Sequence, residues 1–343
     1  MLFCKPMSFF GLSCLLACSL FAQQAAVEQK DVSSAALTAN NESRTVLSIS
    51  QLGLESQPPI PGGKAEFPEF TRELVRLQWR AGDPIDIYVI TPRGVKKPRA
   101  ILYLYGHTSD STRFRNDQWC QSATEGGFAA IGFVSALTGE RYRGRAMTKW
   151  FVSELAESLA TTTHDVQMVL NYLAERGDLN MDRTGMYAQG SGASIAILAA
   201  SVDSRITVLD VLNPWGDWPD WLKQSPIVPE NERSTYLRPE FLAQVAMLDP
   251  VDTLPKMKTQ TIRIQQSAGD LGVPKSVRER IASAAVRPEE VVLYKDAAGF
   301  RKAWEAGRPW GWIKDHLEPT PAQLSATRTN EQKNPEDGSD RHE

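Results

Sequence analysis

Short runs of consecutive apolar residues recur through the middle of the chain, each bounded by glycine, proline or polar residues. The clearest run, 100–105, ends at Gly106. A continuous apolar run of this length is typical of a strand buried on both faces. Further strands are predicted at 128–134, 184–188, 206–212, 261–264 and 291–294, and an antiparallel edge hairpin at 74–79 and 85–91.

Between these runs the apolar positions recur with the period of a helix. Val166, Val169, Leu170 and Leu173 follow the i, i+3, i+4, i+7 pattern, and residues 193–200 form a run of small residues suited to close packing. Strands that alternate with helices predict an α/β protein, with a mostly parallel central sheet and helices on both faces. Ligands of such sheets bind at the carboxyl ends of the strands.

The two ends of the chain differ from this core in composition. Residues 1–22 contain one Lys, an apolar run and Ala22 before a glutamine, which predicts a signal peptide. Residues 23–67 are polar or rich in Pro and Gly, and are interpreted as a disordered linker. Residues 318–343 are interpreted as a disordered tail, which leaves one folded domain at 68–317.

The cysteines leave two forms of export open. Cleavage after Ala22 leaves Cys120 as the single cysteine of the mature chain, so no intramolecular disulfide could form. Alternatively, residues 15–18 resemble a bacterial lipobox, in which Cys18 would carry lipid. Both interpretations predict a periplasmic or extracellular protein without a transmembrane segment in the mature chain, because the apolar run is too short for one.

Charge and motifs exclude several classes of function. The 343 residues carry 38 Lys plus Arg against 41 Asp plus Glu, so no global positive charge favours nucleic acid. The 42% hydrophobic content is that of an ordinary soluble globular protein. Neither HExxH nor CxxC occurs, and no phosphate loop or dinucleotide fingerprint is present. The sequence therefore predicts no metal and no cofactor.

One strand-to-helix turn carries the most informative motif. The predicted strand 184–188 continues through residues 189–192, with the sequence Gln-Gly-Ser-Gly, directly into the helix 193–200. This is the layout of a nucleophile elbow. Upstream, Tyr105-Gly106-His107 follows the third predicted strand, and Gly126-Gly127 precedes the fourth. Downstream, Asp270 follows a late strand.

In the order of these motifs the chain resembles the α/β-hydrolase superfamily, particularly its esterase, dienelactone-hydrolase-like and prolyl-oligopeptidase-like branches. The resemblance covers nearly the whole folded body and implies an α/β-hydrolase fold with a small cap insertion at about 215–249. It implies that Gly106 lies in an oxyanion loop and that Asp270 occupies the position of the catalytic acid. It also implies a small-molecule ester, peptide or sugar-ester ligand.

The register of the elbow decides whether the chain carries a nucleophile. Residues two before and two after the tip must be small, because strand and helix approach closely there. With Gly190 at the tip the flanking residues are Ala188 and Gly192, which are both small. With Ser191 at the tip they are Gln189 and an alanine. The pattern favours Gly190, which adopts a positive φ without strain but cannot attack a substrate.

The histidine base of the resembled family is also missing from its usual place. Where a Gly-His pair is expected after the last strand, the chain has Gly299-Phe300. His316 is interpreted as a half-buried residue of the terminal helix. His107, in the oxyanion loop, either faces the pocket as a base or only orders the loop.

A tryptophan-rich segment follows the strand predicted at 206–212. Trp215, Asp217 and Trp218 are interpreted either as part of a ligand-binding wall or as packing beneath the cap. Arg141 and two neighbouring arginines follow the fourth strand and either hold an anion or form a solvated loop.

Three functions remain open from the sequence. The first is an exported protein of the serine esterase lineage whose triad has decayed, with Gly190 and Phe300 in place of nucleophile and base, and which retains a ligand pocket. The second is an active ester or peptide hydrolase with Ser191 as nucleophile, Asp270 as acid and either His107 or His316 as base. The third is a cell-envelope interaction protein that uses only its surface.

Overall fold

The strands of the protein form one nine-stranded sheet in the order β1-β2-β3-β5-β4-β6-β7-β8-β9. The computed structural model describes residues 43, 45–80, 82–107, 109–137, 141, 151–257, 259, 261–285, 288, 290–306 and 308–318. The strands are β1 Ile60–Glu66, β2 Phe70–Leu77, β3 Ile85–Pro92, β4 Arg99–Leu104, β5 Ala129–Gly132, β6 Asn180–Gln189, β7 Ile206–Leu212, β8 Thr261–Ser267 and β9 Glu290–Tyr294.

The type of strand pairing changes once across the sheet, from antiparallel to parallel. β1, β2 and β3 pair antiparallel, and β3 also pairs antiparallel with β5. From β5 through β4, β6, β7 and β8 to β9 every pairing is parallel. The predicted α/β class and the mostly parallel sheet are confirmed. β2 and β3 form the predicted hairpin, but β1 pairs with the outer side of β2, so the hairpin does not lie at the edge of the sheet. The parallel strands end together, so the segments that follow them meet at one edge of the sheet.

Helices cover both faces of the sheet. They are α1 Thr112–Arg115, α2 Asp117–Thr124, α3 Leu155–Arg176, α4 Ser191–Val202, α5 Trp218–Gln224, α6 Arg233–Tyr236, α7 Pro239–Ala246, α8 Pro250–Thr253, α9 Lys275–Ala284, α10 Ala297–Glu305 and α11 Arg308–Leu317. Leu102 and Leu104 of β4 pack in one core with α3 and α4, whereas Ile101 and Tyr103 pack in a second core with α2 and α11. Because both faces of β4 are buried, its sequence is a continuous apolar run.

The cap predicted at 215–249 consists of short helices between β7 and α8. It contains α5, α6 and α7 with a turn of 3-10 helix at Glu230–Glu232. Trp218 and Trp221 of α5 are fully buried, and their indole N–H groups donate to the carbonyls of Leu248 and Gly272. These two rings hold the cap against the domain beneath it.

Residues 45–66 differ from the expected disordered linker. Ile49 is buried against α3, where its N–H donates to Gln167, and the Gln167 amide donates to the Leu47 carbonyl. Residues 60–66 form β1 on the edge of the sheet. The signal peptide predicted at 1–22, with Cys18, lies outside the described residues, and so does the tail predicted after residue 317, apart from residue 318. Among the described residues, no helix combines the length and apolar character that a membrane crossing requires.

Candidate functional site

Gly190 occupies the tip of the elbow. β6 ends at Gln189 and α4 begins at Ser191, and between them Gly190 has φ 56° and ψ −126°. Its N–H donates to the Leu212 carbonyl of β7 at 2.9 Å, which ties the tip to the neighbouring strand. A positive φ is accessible to glycine without the strain that other residues incur. The residue at the tip of the turn therefore has no side chain.

The two glycines beside the tip are required by close backbone approach. A Cβ on Gly192 would lie 2.5 Å from the Leu104 carbonyl oxygen, and one on Gly106 would lie 3.0 Å from the Gln189 carbonyl oxygen. Above Gly190 itself there is room, because the nearest atom to an added Cβ is the Trp215 indole nitrogen at 3.6 Å. The elbow thus keeps the small flanking residues of a nucleophile turn.

Ser191 does not face the site. Its side chain is fully buried at the start of α4, and its Oγ has no hydrogen-bond partner in the described part of the chain. An attacking hydroxyl must reach both the substrate and a base. The position of Ser191 therefore does not support a nucleophilic role.

A cavity of about 400 Å³ opens at the tip, at the carboxyl ends of β4, β6, β7 and β8. Gly190 lies on its wall. The other described residues that line it are Gly106, His107, Ser109, Gln189, Leu212, Asn213, Trp215, Ile227 and Asp270. The sequence analysis placed Gly106, Gly190, His107, Trp215 and Asp270 at this edge, and the fold brings all five to one cavity.

Asp270 is held on the cavity wall by Asn213, a residue that the sequence analysis did not identify. The Asn213 amide donates to Asp270 Oδ2 at 2.7 Å and accepts from the Ser267 N–H at 2.7 Å. Asp270 Oδ1 accepts from the Gly272 N–H at 2.8 Å. The one sequence signal for Asn213 is its position directly after β7. Both oxygens of the Asp270 carboxylate are therefore held by hydrogen bonds on the cavity wall.

His107 also faces the cavity, and its ring is oriented by a backbone carbonyl. Nδ1 lies 2.9 Å from the Leu137 oxygen. A carbonyl oxygen only accepts, so Nδ1 donates and Nε2 is the unprotonated nitrogen of the neutral ring. Burial lowers the pKa of His107 below its usual value, although the hydrogen bond to Leu137 opposes this. The ring is therefore neutral at pH 7.

We expect this lowered pKa to make the unfolding free energy depend on His107 in mildly acidic solution. Below the pKa of an exposed histidine, 6.5, the unfolded chain takes up a proton before the folded chain does. The contribution of His107 is complete above that pH and is lost as the pH falls toward the folded pKa. Urea unfolding at a series of pH values should show that the free energy of unfolding falls less steeply with decreasing pH for His107→Gln than for the native chain. Identical slopes would contradict the assignment.

Phe300 lies in a helix instead of a catalytic loop. It belongs to α10, whose first turn is capped by Asp296 accepting from the Gly299 N–H at 2.8 Å. Its ring packs on Tyr294 at 5.3 Å, and it is not among the described residues that line the cavity. His316 stacks on Trp312 of the same helix, α11, at 4.1 Å. His107 is the one imidazole on the described wall.

Trp215, Asp217 and Trp218, the candidate ligand-binding residues after β7, line two different cavities. Trp215 lines the cavity at Gly190, stacked on Trp221 at 4.6 Å, and its backbone N–H donates to Ser194 Oγ. Asp217 and Trp218 line a separate cavity of about 410 Å³ beneath α7. Ligand contact at the elbow is therefore open to Trp215, whereas Trp218 serves as packing.

Arg141 does not hold an anion at the pocket edge. Its guanidinium is buried and bonds to Asp83 and Asp165, and Arg80 bonds to the same two carboxylates. The four charges join the β2–β3 hairpin, α3 and the segment that follows β5, which also contains Leu137. Arg143 and Arg145 lie outside the described residues.

Comparison with solved structures identifies the fold. Acetyl xylan esterase from Paenibacillus sp. R4 superposes with a TM-score of 0.59 at 17% identity, over 79% of this chain and 94% of that chain. Acetyl xylan esterase 1 from Thermoanaerobacterium sp. JW/SL YS485 gives 0.58 at 13%, over 76% and 89%. An S-formylglutathione hydrolase from Agrobacterium tumefaciens gives 0.54 at 11%, over 75% and 99%.

No protein-family model matches the chain, and no curated protein matches it. The sheet order, the strand-to-helix turn at Gly190 and these superpositions agree on one architecture. The chain has the α/β-hydrolase fold of the esterases and related hydrolases.

Proposed function

We propose that this protein binds a small acylated ligand at the elbow without hydrolysing it. The observation that carries the proposal is Gly190, a residue without a side chain, at the tip of an otherwise intact elbow. The environment expected around a reacting ester is retained, whereas the group that would attack it is not.

The donors around the tip suit an acyl carbonyl oxygen. α4 starts at Ser191, and the first N–H groups of a helix have no partner within it and lie at the positive end of its dipole. The Trp215 indole nitrogen lies beside the same point, 3.6 Å from where a Cβ on Gly190 would be. A carbonyl oxygen placed above Gly190 would meet this positive potential.

The acceptors on the cavity wall suit hydroxyl groups. Asp270 presents a carboxylate held by Asn213, and the His107 ring lies on the same wall. A free carboxylate ligand would be repelled by Asp270, whereas a neutral acylated sugar offers both the carbonyl and the hydroxyls. Two of the superposed structures are acetyl xylan esterases, which supports the same class. We therefore place sugar esters first, ahead of acylated peptides.

A fluorophosphonate probe and a short p-nitrophenyl ester test the absence of catalysis. We expect no covalent labelling and no hydrolysis above the buffer rate, because Gly190 at the tip of the elbow has no side chain that could attack the ester. Mass spectrometry of the intact protein reads out labelling, and Ser191→Ala is the matched control. Stoichiometric labelling that Ser191→Ala abolishes would establish an active serine hydrolase instead.

Calorimetric titration with an acetylated xyloside tests ligand binding. Ser109→Trp, which fills the cavity from its wall, should abolish the binding heat while circular dichroism stays unchanged. If the native chain gives no heat with acetylated or free xylosides, the proposed ligand class is wrong. Binding of a protein partner that Ser109→Trp leaves intact would favour the surface-interaction function.

We also propose that the chain works outside the cytoplasm, on the strength of the export signal in residues 1–22. The mass of the mature N-terminus distinguishes the two routes. Cleavage after Ala22 gives a free chain, whereas a lipidated Cys18 gives an anchored one. An intact Met1 in the cytoplasmic fraction would reject export.

A further inference from the structure

A second large cavity lies away from Gly190, at the amino end of β5. It has a volume of about 560 Å³ and is lined by residues of α2, α10, α11 and the segment before β5. Gly126 and Phe128 of its wall precede β5, whereas the cavity at Gly190 opens at the carboxyl ends of the parallel strands. Its size is typical of a small-molecule site, for which about 300–1,000 Å³ is usual.

Aromatic rings form part of the wall of this cavity. Trp304 of α10 and Trp310 of α11 have ring centroids 5.1 Å apart and planes at 72° to each other, so the two indoles meet nearly at a right angle. Phe128 adds a third ring, and the Lys314 ammonium lies over it, 6.0 Å from the ring centroid. The faces of aromatic rings carry negative potential and attract ammonium groups. The wall therefore offers the surface that an organic cation uses.

Acidic residues outnumber basic ones around the cavity. Four exposed carboxylates line it, and none of them forms an ion pair with another described residue: Glu125, Glu305, Asp315 and Glu318. Lys314 is the one basic residue in the described lining, and its Nζ donates to the carbonyls of Ser122 and Glu125 at 3.0 and 2.7 Å. Burial lowers the pKa of Lys314 to about 8, so its ammonium is still mostly protonated at pH 7. The charge around the cavity therefore favours a cation over an anion.

Trp310 also presents a hydrogen-bond donor without an acceptor. Its side chain is only 8% exposed, and its indole Nε1 is buried with no partner among the described residues. A buried N–H that is left unpaired is unfavourable, and a ligand oxygen beside it would satisfy it. An ammonium group has no acceptor of its own, so the ligand needs an oxygen as well as a positive charge.

Gly311 keeps the cavity open. It is the fourth residue of α11 and lines the cavity, and a Cβ added to it would meet no atom within 4 Å. Glycine inside a helix is less favourable than almost any other residue. Neither a close backbone approach nor a positive φ requires a glycine here, so the fold itself does not explain this one.

We propose that this cavity binds a small organic ammonium that also carries an oxygen acceptor, the chemistry of an amino alcohol. The ring faces and the carboxylates attract the ammonium, and the oxygen accepts from Trp310 Nε1. The acidic cavity beneath α7 is less suited, because Asp217 there pairs with Arg280 at 3.5 Å and Asp249 accepts from two backbone N–H groups. The site is separate from the cavity at Gly190, so it stands or fails independently of the proposed acylated ligand.

A series of three ligands tests the proposed chemistry by calorimetric titration of the full chain. Choline carries both the ammonium and the oxygen, 3,3-dimethyl-1-butanol has the same shape without the charge, and tetramethylammonium has the charge without the oxygen. We expect choline to bind roughly tenfold more tightly than the uncharged alcohol, and more tightly than tetramethylammonium. No binding of choline, or equal binding of choline and the alcohol, would overturn the site. Equal binding of the two ammonium ions would overturn the role of the oxygen.

Two leucine substitutions locate the site. Gly311→Leu fills this cavity and should abolish choline binding, whereas the thermal midpoint should not fall, because leucine favours a helix more than glycine does. Ala243→Leu in α7 narrows the acidic cavity that contains Asp217, and this matched control should bind choline like the native chain. Choline binding that survives Gly311→Leu, or that is lost in Ala243→Leu, would overturn the assignment.

A second pair of variants tests the ring surface. Trp304→Ala should weaken choline binding roughly tenfold, the loss expected for one ring face around a desolvated cation. Trp304→Phe, which keeps an aromatic ring, should restore most of the affinity. If Trp304→Ala bound choline like the native chain, the aromatic wall would have no part in binding and the proposal would be wrong.

Discussion

Replacing Asp165 by alanine is expected to lower the free energy of unfolding by about 3–5 kcal/mol, since removing one partner leaves buried charge uncompensated. Asp165 is fully buried and accepts from Arg141 at 2.6 Å and from Arg80 at 3.0 Å. Without it, Asp83 is the one carboxylate in the described network that still pairs with both guanidinium groups. Urea denaturation monitored by circular dichroism measures the loss.

Asp86→Ala is the matched control for this prediction. Asp86 pairs with Arg76 across β2 and β3, but the two side chains are 43% and 49% exposed. Removing an exposed pair of this kind costs about 1 kcal/mol or less. If Asp165→Ala cost no more than Asp86→Ala, the buried network would not contribute to stability as its burial implies.

The Asp165 network also reaches the candidate site. Arg141 follows the segment whose Leu137 carbonyl accepts from His107 Nδ1. We therefore expect Asp165→Ala to weaken any ligand that uses His107, in addition to lowering stability. Leu137→Ala, which keeps the carbonyl, should not reproduce this effect on binding.

Gly192→Ala is expected to destabilise the protein by about 3 kcal/mol or more, the upper part of the range for overpacking. Its Cβ would lie 2.5 Å from the Leu104 oxygen and 3.0 Å from the Tyr105 oxygen, and both are backbone atoms that cannot rotate away. Relief would require α4 to move from β4. Thermal and urea unfolding measure this loss.

Gly190→Ala, two residues away, is the comparison. Its Cβ meets no atom closer than 3.6 Å, so the cost is the strain of the positive φ alone, about 1–3 kcal/mol. The order of the two variants tests the register of the elbow. If Gly190→Ala proved the more destabilising, Gly190 would not be the tip.

Much of the fold follows from the apolar pattern because the parallel strands are buried on both faces. The prediction at 100–105 matches β4 at Arg99–Leu104 to within one residue at each end. Edges are harder to predict. β1 has the sequence Ile-Pro-Gly-Gly-Lys-Ala-Glu, and almost every residue in it is exposed. It is a strand because its backbone pairs with β2, and backbone pairing requires no alternation of apolar and polar residues. The same limit applies to the first residues of β6, where Asn180 and Asp182 extend a strand predicted from 184 onward.

The elbow was predictable because sterics restrict its sequence. The strand and the helix approach closely beside the tip, so the residues two before and two after it must be small. Ala188 and Gly192 meet this requirement, which is why the sequence favours Gly190 at the tip. Asn213 carries no such restriction, and its role depends on β7 and β8 ending side by side. Trp215 and Trp218 are the same residue type in one short segment, so their sequence does not distinguish their roles. The path of the chain through the cap places Trp215 on the wall of the cavity at Gly190 and Trp218 in the packing of the cap.

A glycine at the elbow tip changes how much local backbone strain the rest of the molecule must offset. Enzymes that place a reactive side chain at such a φ carry about 1–3 kcal/mol of local strain, which the surrounding scaffold must offset. With Gly190 that strain is absent, so the stability that would otherwise offset it is left to tolerate destabilising substitutions elsewhere in the fold.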